Sequence, residues 1–342
     1  MQKKILVTGG CGYIGSHTIV DLLDYGFEVV SADSLFNADE KVLDGIEQIT
    51  GHRVVNHKVD LADRNACQDM LDAIGHVDGI IHFAAFKSVG ESVEKPLMYY
   101  NNNINAQINL MDLAPRYGAK FFIFSSSCSV YGNPEELPVT EQTPLQKAES
   151  PYAFTKQIGE QIIQDYSKVN DDMKFVLLRY FNPAGAHESA IIGENPINIA
   201  NNLVPVITET AIGKRPQMTV FGDDYPTRDG SNIRDYIHVM DLAHAHTLSL
   251  KYLIDHPDAP QVDIINLGIG EGVSVKEAIE AFEKVTGQKL NYVIGGRRPG
   301  DVIAVYADAT KAMKTLGWKP DRDIDAIMDT AWRWEQRRTS QS

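Results

Sequence analysis

An α/β fold built on a doubly wound parallel sheet is predicted by three features of the amino-acid sequence. Short apolar runs alternate with longer segments of helical periodicity through the first half of the chain. These runs are apolar at successive positions, which is typical of central parallel strands covered by helices on both faces. A glycine-rich segment follows the first run directly, as in the first βα unit of such sheets. The predicted strands are Ile5 to Val7, Phe27 to Ala32, Arg53 to Val59, Gly79 to Phe83, Phe121 to Phe124 and Phe175 to Tyr180.

The second half of the chain has a different pattern, in which five prolines between positions 183 and 226 separate short segments. We therefore predict that residues 1–182 form the larger domain around the sheet and that residues 183–342 form mainly a smaller C-terminal α/β substrate domain. Met240 to Leu253 and Val275 to Thr286 have helical periodicity, whereas Val262 to Leu267 has the pattern of a strand. Later segments are therefore expected to return to the larger domain.

Composition limits the kinds of partner that the protein binds. The 342 residues are 43% hydrophobic, enough for a full core, and carry a formal net charge of −14, which disfavours nucleic acid and anionic membranes. No stretch has the roughly 20 apolar residues of a membrane span, and no signal-peptide core is present. Cys11, Cys67 and Cys128 are odd in number and lack metal-ligand spacing. We predict a cytoplasmic protein with free thiols, no metal and a small-molecule partner.

The segment TGGCGYIGSH, Thr8 to His17, has the glycine spacing of a dinucleotide-binding turn. Gly9, Gly12 and Gly15 form one register, and Gly10 with the last two forms the other. In either register, glycines let the backbone turn tightly and approach a pyrophosphate, whose charge meets the N–H groups at the helix N-terminus. The alternative is an ordinary strand-to-helix turn. Strand, loop, helix and position at the chain start together favour a Rossmann-like dinucleotide site.

Asp33 ends the second predicted strand, eighteen residues past Gly15. An acid at this point can accept hydrogen bonds from the adenosine ribose hydroxyls and would repel a 2′-phosphate, so NAD is favoured over NADP. Without the glycine loop, a helix cap or a turn residue is the alternative interpretation of Asp33. Asp60, at the end of the third strand, is a candidate for contact with adenine, although a turn aspartate is nearly as good an interpretation.

Tyr152 and Lys156 stand four residues apart in SPYAFTKQIGE, which opens as a helix at Pro151. Side chains at i and i+4 share a helix face, so a phenol and an ammonium project together. With a pKa near 10, only about one free tyrosine in a thousand is a phenolate at neutral pH, and Lys156 with a positive nicotinamide ring would lower that pKa. Such a pair also occurs by chance on surface helices. Ser127, just past the strand Phe121 to Phe124, supplies a third group at the carboxyl edge of the sheet.

Further motifs continue along nearly the whole chain. They are FAAFKSVGES (Phe83 to Ser92), FSSSCSVYG (Phe124 to Gly132), SPYAFTK (Ser150 to Lys156), LLRYFNPAGAH (Leu177 to His187), VFGDDYPTRDGSNIRDYIHVMDLA (Val220 to Ala243) and RRPGD (Arg297 to Asp301). With these motifs the chain resembles the UDP-glucose 4-epimerase family of the extended short-chain dehydrogenase/reductase superfamily. The glycine loop and YxxxK mark only the superfamily, whereas the later motifs carry the resemblance to epimerases.

The resemblance implies a role for each matching residue. Tyr152 would be the base on the sugar O4 hydroxyl, Lys156 its activator and a ribose ligand, and Ser127 the hydrogen-bond partner of the reacting sugar oxygen. The implied NAD contacts besides the glycines, Asp33, Asp60, Tyr152 and Lys156 are Tyr13, Ile14, Asn37, Leu61, Phe83, Ala84, Ala85, Lys87, Asn102 and Phe181. The implied UDP-sugar contacts besides Ser127 and Tyr152 are Asn182, Asn202, Leu203, Thr219, Phe221, Arg234, Arg298, Asp301 and Val305. His238, His244 and His246 are assigned to packing, and a homodimer is implied.

The implied reaction is reversible inversion at C4 of a UDP-hexose. Tyr152 takes the O4 proton while hydride passes from C4 to NAD, and the resulting 4-keto sugar turns about its link to the fixed diphosphate before hydride returns to the other face. A nucleotide-sugar 4,6-dehydratase is the nearest alternative, but that family has Asp and Glu where this chain has Cys128 and Ser129. A UDP-glucuronate epimerase or decarboxylase, and an NAD-binding sensor without activity, are further alternatives.

Val305 lies four residues past Asp301, at a position that in resembling epimerases sits beside the hexose C2 substituent. A tyrosine there restricts the pocket to plain hexoses, and a smaller residue leaves room for an N-acetyl group. Tyr306 follows directly, so a shift of one position would close the pocket. The spacing favours Val305 at the gate and predicts activity on UDP-N-acetylglucosamine and its galacto isomer.

Overall fold

A seven-stranded parallel sheet forms the centre of the protein, in the strand order β11-β6-β5-β4-β1-β2-β3. The computed structural model describes residues 2–197, 200–298 and 302–340. The strands are β1 (Lys4–Thr8), β2 (Glu28–Asp33), β3 (Asn56–Lys58), β4 (Gly79–His82), β5 (Phe121–Ser125), β6 (Lys174–Tyr180), β7 (Asn182–Ala184), β8 (Met218–Phe221), β9 (Ile233–Arg234), β10 (Tyr236–His238), β11 (Val262–Leu267), β12 (Val273–Ser274), β13 (Tyr292–Gly295) and β14 (Ala304–Val305). The predicted Rossmann-like fold class is confirmed.

Helices cover both faces of this sheet, and further helices pack beside smaller sheets formed by the second half of the chain. They are α1 (Tyr13–Asp24), α2 (Val42–Thr50), α3 (Arg64–Ile74), α4 (Val89–Glu94), α5 (Pro96–Leu113), α6 (Pro151–Ser167), α7 (Leu203–Ala211), α8 (Val239–Asp255), α9 (Val275–Thr286), α10 (Thr310–Leu316) and α11 (Ile324–Ser340), with 3₁₀ helices at Ala114–Tyr117 and Cys128–Tyr131. Among the helices of the described residues, none is both long and apolar enough to cross a bilayer.

Alternation along the strands explains the two-sided core. Ile5 and Val7 of β1 pack on one face with residues of α1 and α8, while Leu6 packs on the other with residues of α3 and α5. All three side chains are fully buried, so the continuous apolar run is required by burial on both faces. Parallel pairing of β1 with β2 and β4 then brings the carboxyl ends of these strands to one edge.

The third predicted strand is too long. Arg53 to Val59 was expected, but β3 covers only Asn56–Lys58. It is the edge strand of the sheet, and Val55 is exposed, so the apolar run there reflects an edge position and not a buried core strand. Asp60 consequently lies in the turn beyond β3 and does not end the strand.

The second half of the chain forms smaller sheets near the carboxyl edge of the large one. β8 pairs with β13, β9 pairs with β12 and β14, and β7 pairs with β10. α7, α9 and α11 contribute to a separate apolar cluster beside these strands. β11 returns to the large sheet and pairs with β6, in accordance with the strand expected at Val262 to Leu267. The domain boundary at residue 182 stays a prediction.

Four buried histidines give the stability of the protein a defined pH dependence. Burial lowers the pKa of His17 and His246 to about 4 and that of His82 and His238 to about 3, and the nearby charges of Lys156 and Arg322 add to the effect on the last two. Below the ordinary value of 6.5 the unfolded chain binds protons that the folded protein does not. We therefore expect the free energy of unfolding to fall as the pH falls from 6.5 towards 4, by ~1.4 kcal/mol per pH unit for each histidine.

Urea unfolding at pH 7.5, 6.0 and 5.0 measures this slope. His246→Gln is expected to make the slope shallower by one histidine, whereas His52→Gln, at an exposed position, is expected to leave it unchanged. Equal slopes in the native protein and His246→Gln would contradict the assignment of His246 as a neutral buried group.

Candidate active site at the carboxyl edge of the sheet

The glycine loop between β1 and α1 is packed backbone against backbone. Gly9 has a positive φ of 70°, and a Cβ there would lie 2.9 Å from the amide nitrogen of Ala84. A Cβ at Gly15 would lie 2.2 Å from the carbonyl oxygen of Gly9, and Gly12, the N-cap of α1, donates its N–H to that same oxygen at 3.0 Å. As a glycine, Gly12 has no side chain with which to cap the first turn of α1. The amide groups of that turn therefore fit an anionic ligand such as a pyrophosphate.

The other glycine register is equally constrained, because a Cβ at Gly10 would lie 2.4 Å from the Ser31 hydroxyl oxygen. Asp33 ends β2 beside the loop and accepts hydrogen bonds from the amides of Cys11 at 3.1 Å and Leu35 at 2.8 Å. Burial raises the pKa of the Asp33 carboxyl, and these two amides partly offset the rise. Each carboxylate oxygen keeps a lone pair for a ribose hydroxyl. The cradle therefore fits the adenosine half of a dinucleotide.

The side chains proposed for proton transfer meet where β5 ends. Ser150 caps α6 by accepting the amide of Ala153 at 3.2 Å, which fixes the start of the helix that carries Tyr152 and Lys156. The buried Lys156 Nζ donates to the carbonyl oxygen of Ser125 at 2.6 Å and lies 6.0 Å from the Tyr152 ring centre.

Ser127 follows β5 directly and caps the 3₁₀ helix Cys128–Tyr131, where its hydroxyl accepts the amide of Ser129 at 3.2 Å. The Ser127 hydroxyl also forms a hydrogen bond with the Tyr152 phenol. This bond lowers the pKa of the phenol and so partly offsets the rise that burial causes. The structure therefore brings together the three residues that the sequence grouped.

Burial dominates the electrostatics of this group. It raises the pKa of the Tyr152 phenol well above its ordinary value, and the Tyr180 phenol nearby contributes to the rise. Burial also lowers the pKa of Lys156 to about 8, against the effect of Glu160. The sequence suggested that Lys156 would help to lower the Tyr152 pKa, but in the protein alone burial raises that pKa and, among the described residues, the only lowering contribution is the hydrogen bond from Ser127. A phenolate here requires a further positive charge beside the ring.

The residues after β4 face the glycine loop. Phe83, Ala84 and Ala85 follow the strand directly, and the contact between Ala84 and Gly9 joins the two segments. Asn102 lies on α5, and its side-chain amide donates to the neighbouring Asn103 at 2.9 Å. Phe83, Ala84 and Ala85 therefore lie at the same edge of the sheet as Asp33.

The remaining cofactor candidates have mixed environments. Tyr13 donates its hydroxyl to the Gly185 carbonyl at 2.6 Å, so the phenol joins α1 to the segment after β7. Asp60 is exposed and accepts the amide of Ala62 at 2.9 Å, which is the turn contact that was its alternative interpretation. Leu61 and Phe181 are buried in apolar clusters, and Ile14 is partly buried. Asn37 and Lys87 are exposed. The Lys87 ammonium lies 3.7 Å from a carboxylate oxygen of Glu194.

The candidates for UDP contact lie on the smaller sheets and at α7. Asn202 is the N-cap of α7 and Leu203 its first residue, and the Asn202 amide donates to Glu194 at 3.0 Å. The Arg298 guanidinium lies 4.6 Å from the Phe221 ring centre. Asn182 begins β7, Thr219 and Phe221 lie on β8, and Arg234 ends β9. Asp301 lies outside the described residues. Glu194, which no sequence motif indicated, contacts side chains from both groups of candidates.

Val305 and Tyr306 face different neighbours. Val305 is 8% exposed and belongs to the apolar cluster that contains Phe181, with Cys128 packed against it. A Cβ at Gly272 would lie 3.1 Å from the Tyr306 ring, so the tyrosine packs against that glycine. Val305 therefore belongs to a cluster that adjoins the Ser127 segment through Cys128, whereas the Tyr306 ring packs against Gly272.

The chain as a whole is similar to known proteins. The family model described as GDP-mannose 4,6 dehydratase matches residues 6–331. A UDP-glucose 4-epimerase of Bacillus subtilis is 46% identical over 331 residues, which cover 97% of this chain and 96% of that protein.

Two solved structures are similar over nearly the full length. The UDP-glucose 4-epimerase from Stenotrophomonas maltophila with bound NAD and formylated UDP-arabinopyranose has a TM-score of 0.95 at 42% identity, with 100% of both chains covered. The enzyme from Bifidobacterium longum in complex with NAD+ and UDP has a TM-score of 0.92 at 44% identity, with 98% of this chain and 99% of that chain covered.

Proposed function

Because the chain belongs to the UDP-glucose 4-epimerase family, within the extended short-chain dehydrogenase/reductase superfamily, we propose that it interconverts UDP-glucose and UDP-galactose by C4 epimerisation with bound NAD. The observation that carries this proposal is the group formed by Tyr152, Lys156 and Ser127 beside the glycine loop. The Stenotrophomonas and Bifidobacterium enzymes bind NAD together with a UDP-sugar or UDP, which supports the same ligands here.

The residues of this chain hold and move the proton of the sugar O4 hydroxyl. Held by the glycine loop and Asp33, NAD would supply the hydride acceptor and donor for C4 and the positive charge that the buried Tyr152 needs. Tyr152 receives the O4 proton in the oxidation and gives it back in the reduction. Lys156, fixed by the Ser125 carbonyl, stabilises the phenolate, and Ser127 donates to the O4 oxygen.

Inversion requires a firm grip on the nucleotide and a loose one on the sugar. Arg234, Arg298 and Asn202 offer donors to the diphosphate, and the Phe221 ring offers a stacking face at its 38% exposed surface. With the diphosphate held, the 4-keto hexose turns about its single link and presents its other face to the cofactor. The glycine loop and Asp33 keep the cofactor bound through the cycle.

At the two positions where a dehydratase has its acid and its base, this chain has residues that do not serve as either. Elimination of water requires an acid and a base next to the sugar, where this chain has Cys128 and Ser129. Burial raises the pKa of the Cys128 thiol to about 12, so the thiol is not a base at neutral pH. A serine hydroxyl is weaker still. The 4-keto sugar is therefore expected to return to a hexose without loss of water.

We further propose that the enzyme is a cytoplasmic homodimer. All three cysteines are free, as suits a reducing compartment. α4, α5 and α6 present exposed apolar side chains, among them Val93, Leu97 at 80% and Phe154 at 45% exposure. A second copy that packs its own helices against these would bury this apolar surface. Light scattering of the purified protein measures the mass, and a monomeric mass would contradict the dimer.

The N-acetylated substrates are part of the same proposal. Val305 is smaller than tyrosine and lies towards Cys128, so the pocket keeps space beside the C2 position of the hexose. UDP-N-acetylglucosamine and UDP-N-acetylgalactosamine are therefore expected to be interconverted as well.

The decisive experiment is incubation of the purified protein with UDP-galactose and no added cofactor, followed by separation of the products. We expect UDP-glucose to form until equilibrium, with no 4-keto-6-deoxy sugar. If UDP-glucose is absent even after long incubation with added NAD, the epimerase proposal is wrong. Accumulation of a 4-keto-6-deoxy sugar would instead support the dehydratase.

Gly15→Ala is expected to weaken NAD binding by about tenfold or more and to lower the melting temperature. The new methyl group would meet the Gly9 carbonyl oxygen at 2.2 Å, so the loop must shift away from its pyrophosphate-binding shape. NAD released by denaturation of the purified variant measures the loss. Gly90→Ala is the matched control, because among the described residues no atom outside the adjoining backbone of α4 lies within 4 Å of its Cβ position. Full NAD content in Gly15→Ala would show that the loop does not bind the cofactor.

A further inference from the structure

A buried ion pair lies directly behind the residues assigned to proton transfer. Arg179 on β6 donates from Nε and Nη2 to the two carboxylate oxygens of Glu160 on α6, at 2.8 and 2.6 Å. The two side chains are only 3% and 1% exposed. Because removing two charges from water costs several kcal/mol, a buried pair of this kind is weak evidence for a role in stability. Its neighbours indicate a role in the site.

The Glu160 carboxylate joins the helix of the site to the strand end of the site. The hydroxyl of Ser126 donates to Glu160 Oε1 at 2.5 Å. Ser126 stands between Ser125, whose carbonyl receives the Lys156 ammonium, and Ser127. Lys156 lies one helical turn before Glu160 on the same face of α6. One carboxylate therefore fixes the serine segment against the helix that carries Tyr152 and Lys156.

Glu160 is also the source of negative charge for the buried Lys156. Tyr152 on α6 and His82 on β4 are neutral at pH 7, because burial raises the pKa of the phenol and lowers that of the imidazole to about 3. Burial likewise raises the pKa of Tyr180, at the end of β6, to about 12. Glu160 raises the pKa of Lys156, which burial lowers to about 8.

We propose that Glu160 is a positioning residue that keeps Lys156 charged and directed at the Ser125 carbonyl, and that Arg179 holds Glu160 in place. The inference rests on the proposed function, in which the Lys156 ammonium stabilises the Tyr152 phenolate. Arg179 serves this role through its fork of donors, which fixes both carboxylate oxygens, and through a further bond to the Tyr131 hydroxyl at 3.1 Å.

The test removes both buried charges at nearly constant volume. In the holoenzyme of Glu160→Gln/Arg179→Met, the pKa of Lys156 is expected to fall by about one unit or more. A titration of protein labelled with ¹³C at lysine Cε measures this pKa by NMR, and Lys156→Met identifies the resonance. The alkaline limb of the kcat/KM profile is expected to move to lower pH by the same amount. Glu209→Gln/Arg215→Met, which removes a half-buried ion pair on and beside α7, is expected to change neither.

The outcomes separate charge from packing. A folded double variant with an unchanged Lys156 pKa would overturn the proposal and leave the epimerase function untouched. Glu160→Asp keeps the charge, so its Lys156 pKa is expected to stay within about half a unit of the native value; a fall as large as in the double variant would also overturn it. If the native enzyme does not epimerise UDP-galactose, the function fails, yet the NMR titration still tests the action of Glu160 on Lys156.

Discussion

Replacing Tyr152 by phenylalanine is expected to lower kcat for UDP-galactose epimerisation by about 10²- to 10⁴-fold, the loss typical of a missing general base. The ring stays in place, and Lys156 keeps its hydrogen bond to the Ser125 carbonyl. Only the hydroxyl that receives the O4 proton disappears. NAD should therefore copurify in the native amount, and KM should change much less than kcat. Product analysis at saturating UDP-galactose and assay of the released NAD measure the two effects.

Tyr25→Phe is the matched control for the lost hydroxyl. The Tyr25 hydroxyl is exposed and lies 3.4 Å from Nε2 of His244, on the surface formed by α1 and α8. Its removal is expected to leave kcat within about twofold of the native value, as surface substitutions usually do. Near-normal turnover in Tyr152→Phe would place the base on another residue, whereas loss of NAD from that variant would mean that the site had been disrupted.

The sequence predicts the central sheet well because its signals are local. Continuous apolar runs identify strands buried on both faces, and the glycine spacing identifies the loop after β1. The length of β3 was overestimated, because an apolar run does not show whether its strand lies at the centre or at the edge of the sheet. Val55, within the predicted strand, is exposed. Strand order is likewise a property of long-range pairing, as the addition of β11 to β6 illustrates.

The site was predictable to the extent that its residues fall in motifs. The sequence grouped Tyr152, Lys156 and Ser127, and the fold brings them together. The acceptor of Lys156 is a backbone carbonyl, which has no sequence signature. Glu160 stands in the same segment, four residues after Lys156, but its importance depends on Arg179 from β6, nineteen positions further along. The raised pKa of Tyr152 follows from burial, which spacing along a helix does not reveal.

Val305→Tyr is expected to abolish epimerisation of UDP-N-acetylglucosamine, with a fall in kcat/KM of about 100-fold or more, while UDP-galactose keeps most of its rate. The native valine is buried in the apolar cluster that contains Phe181. Cys128, which follows Ser127 in the sequence, packs against this cluster. A phenol added there must extend towards the sugar or disturb the cluster. Because bulk in a fitted pocket excludes a larger substrate by steric clash, the discrimination between the two substrates is expected to be large.

Ile303→Tyr adds comparable bulk two residues earlier, where the side chain is 42% exposed, and is expected to leave both activities unchanged. Overpacking at residue 305 costs about 1–3 kcal/mol of stability, so urea unfolding of the variant must accompany the kinetics. Loss of both activities together would indicate a damaged site and not a selective gate. If the native enzyme does not act on the N-acetylated substrate, or if Val305→Tyr still turns it over equally well, residue 305 does not set substrate size, and the space beside C2 must be limited by another side chain.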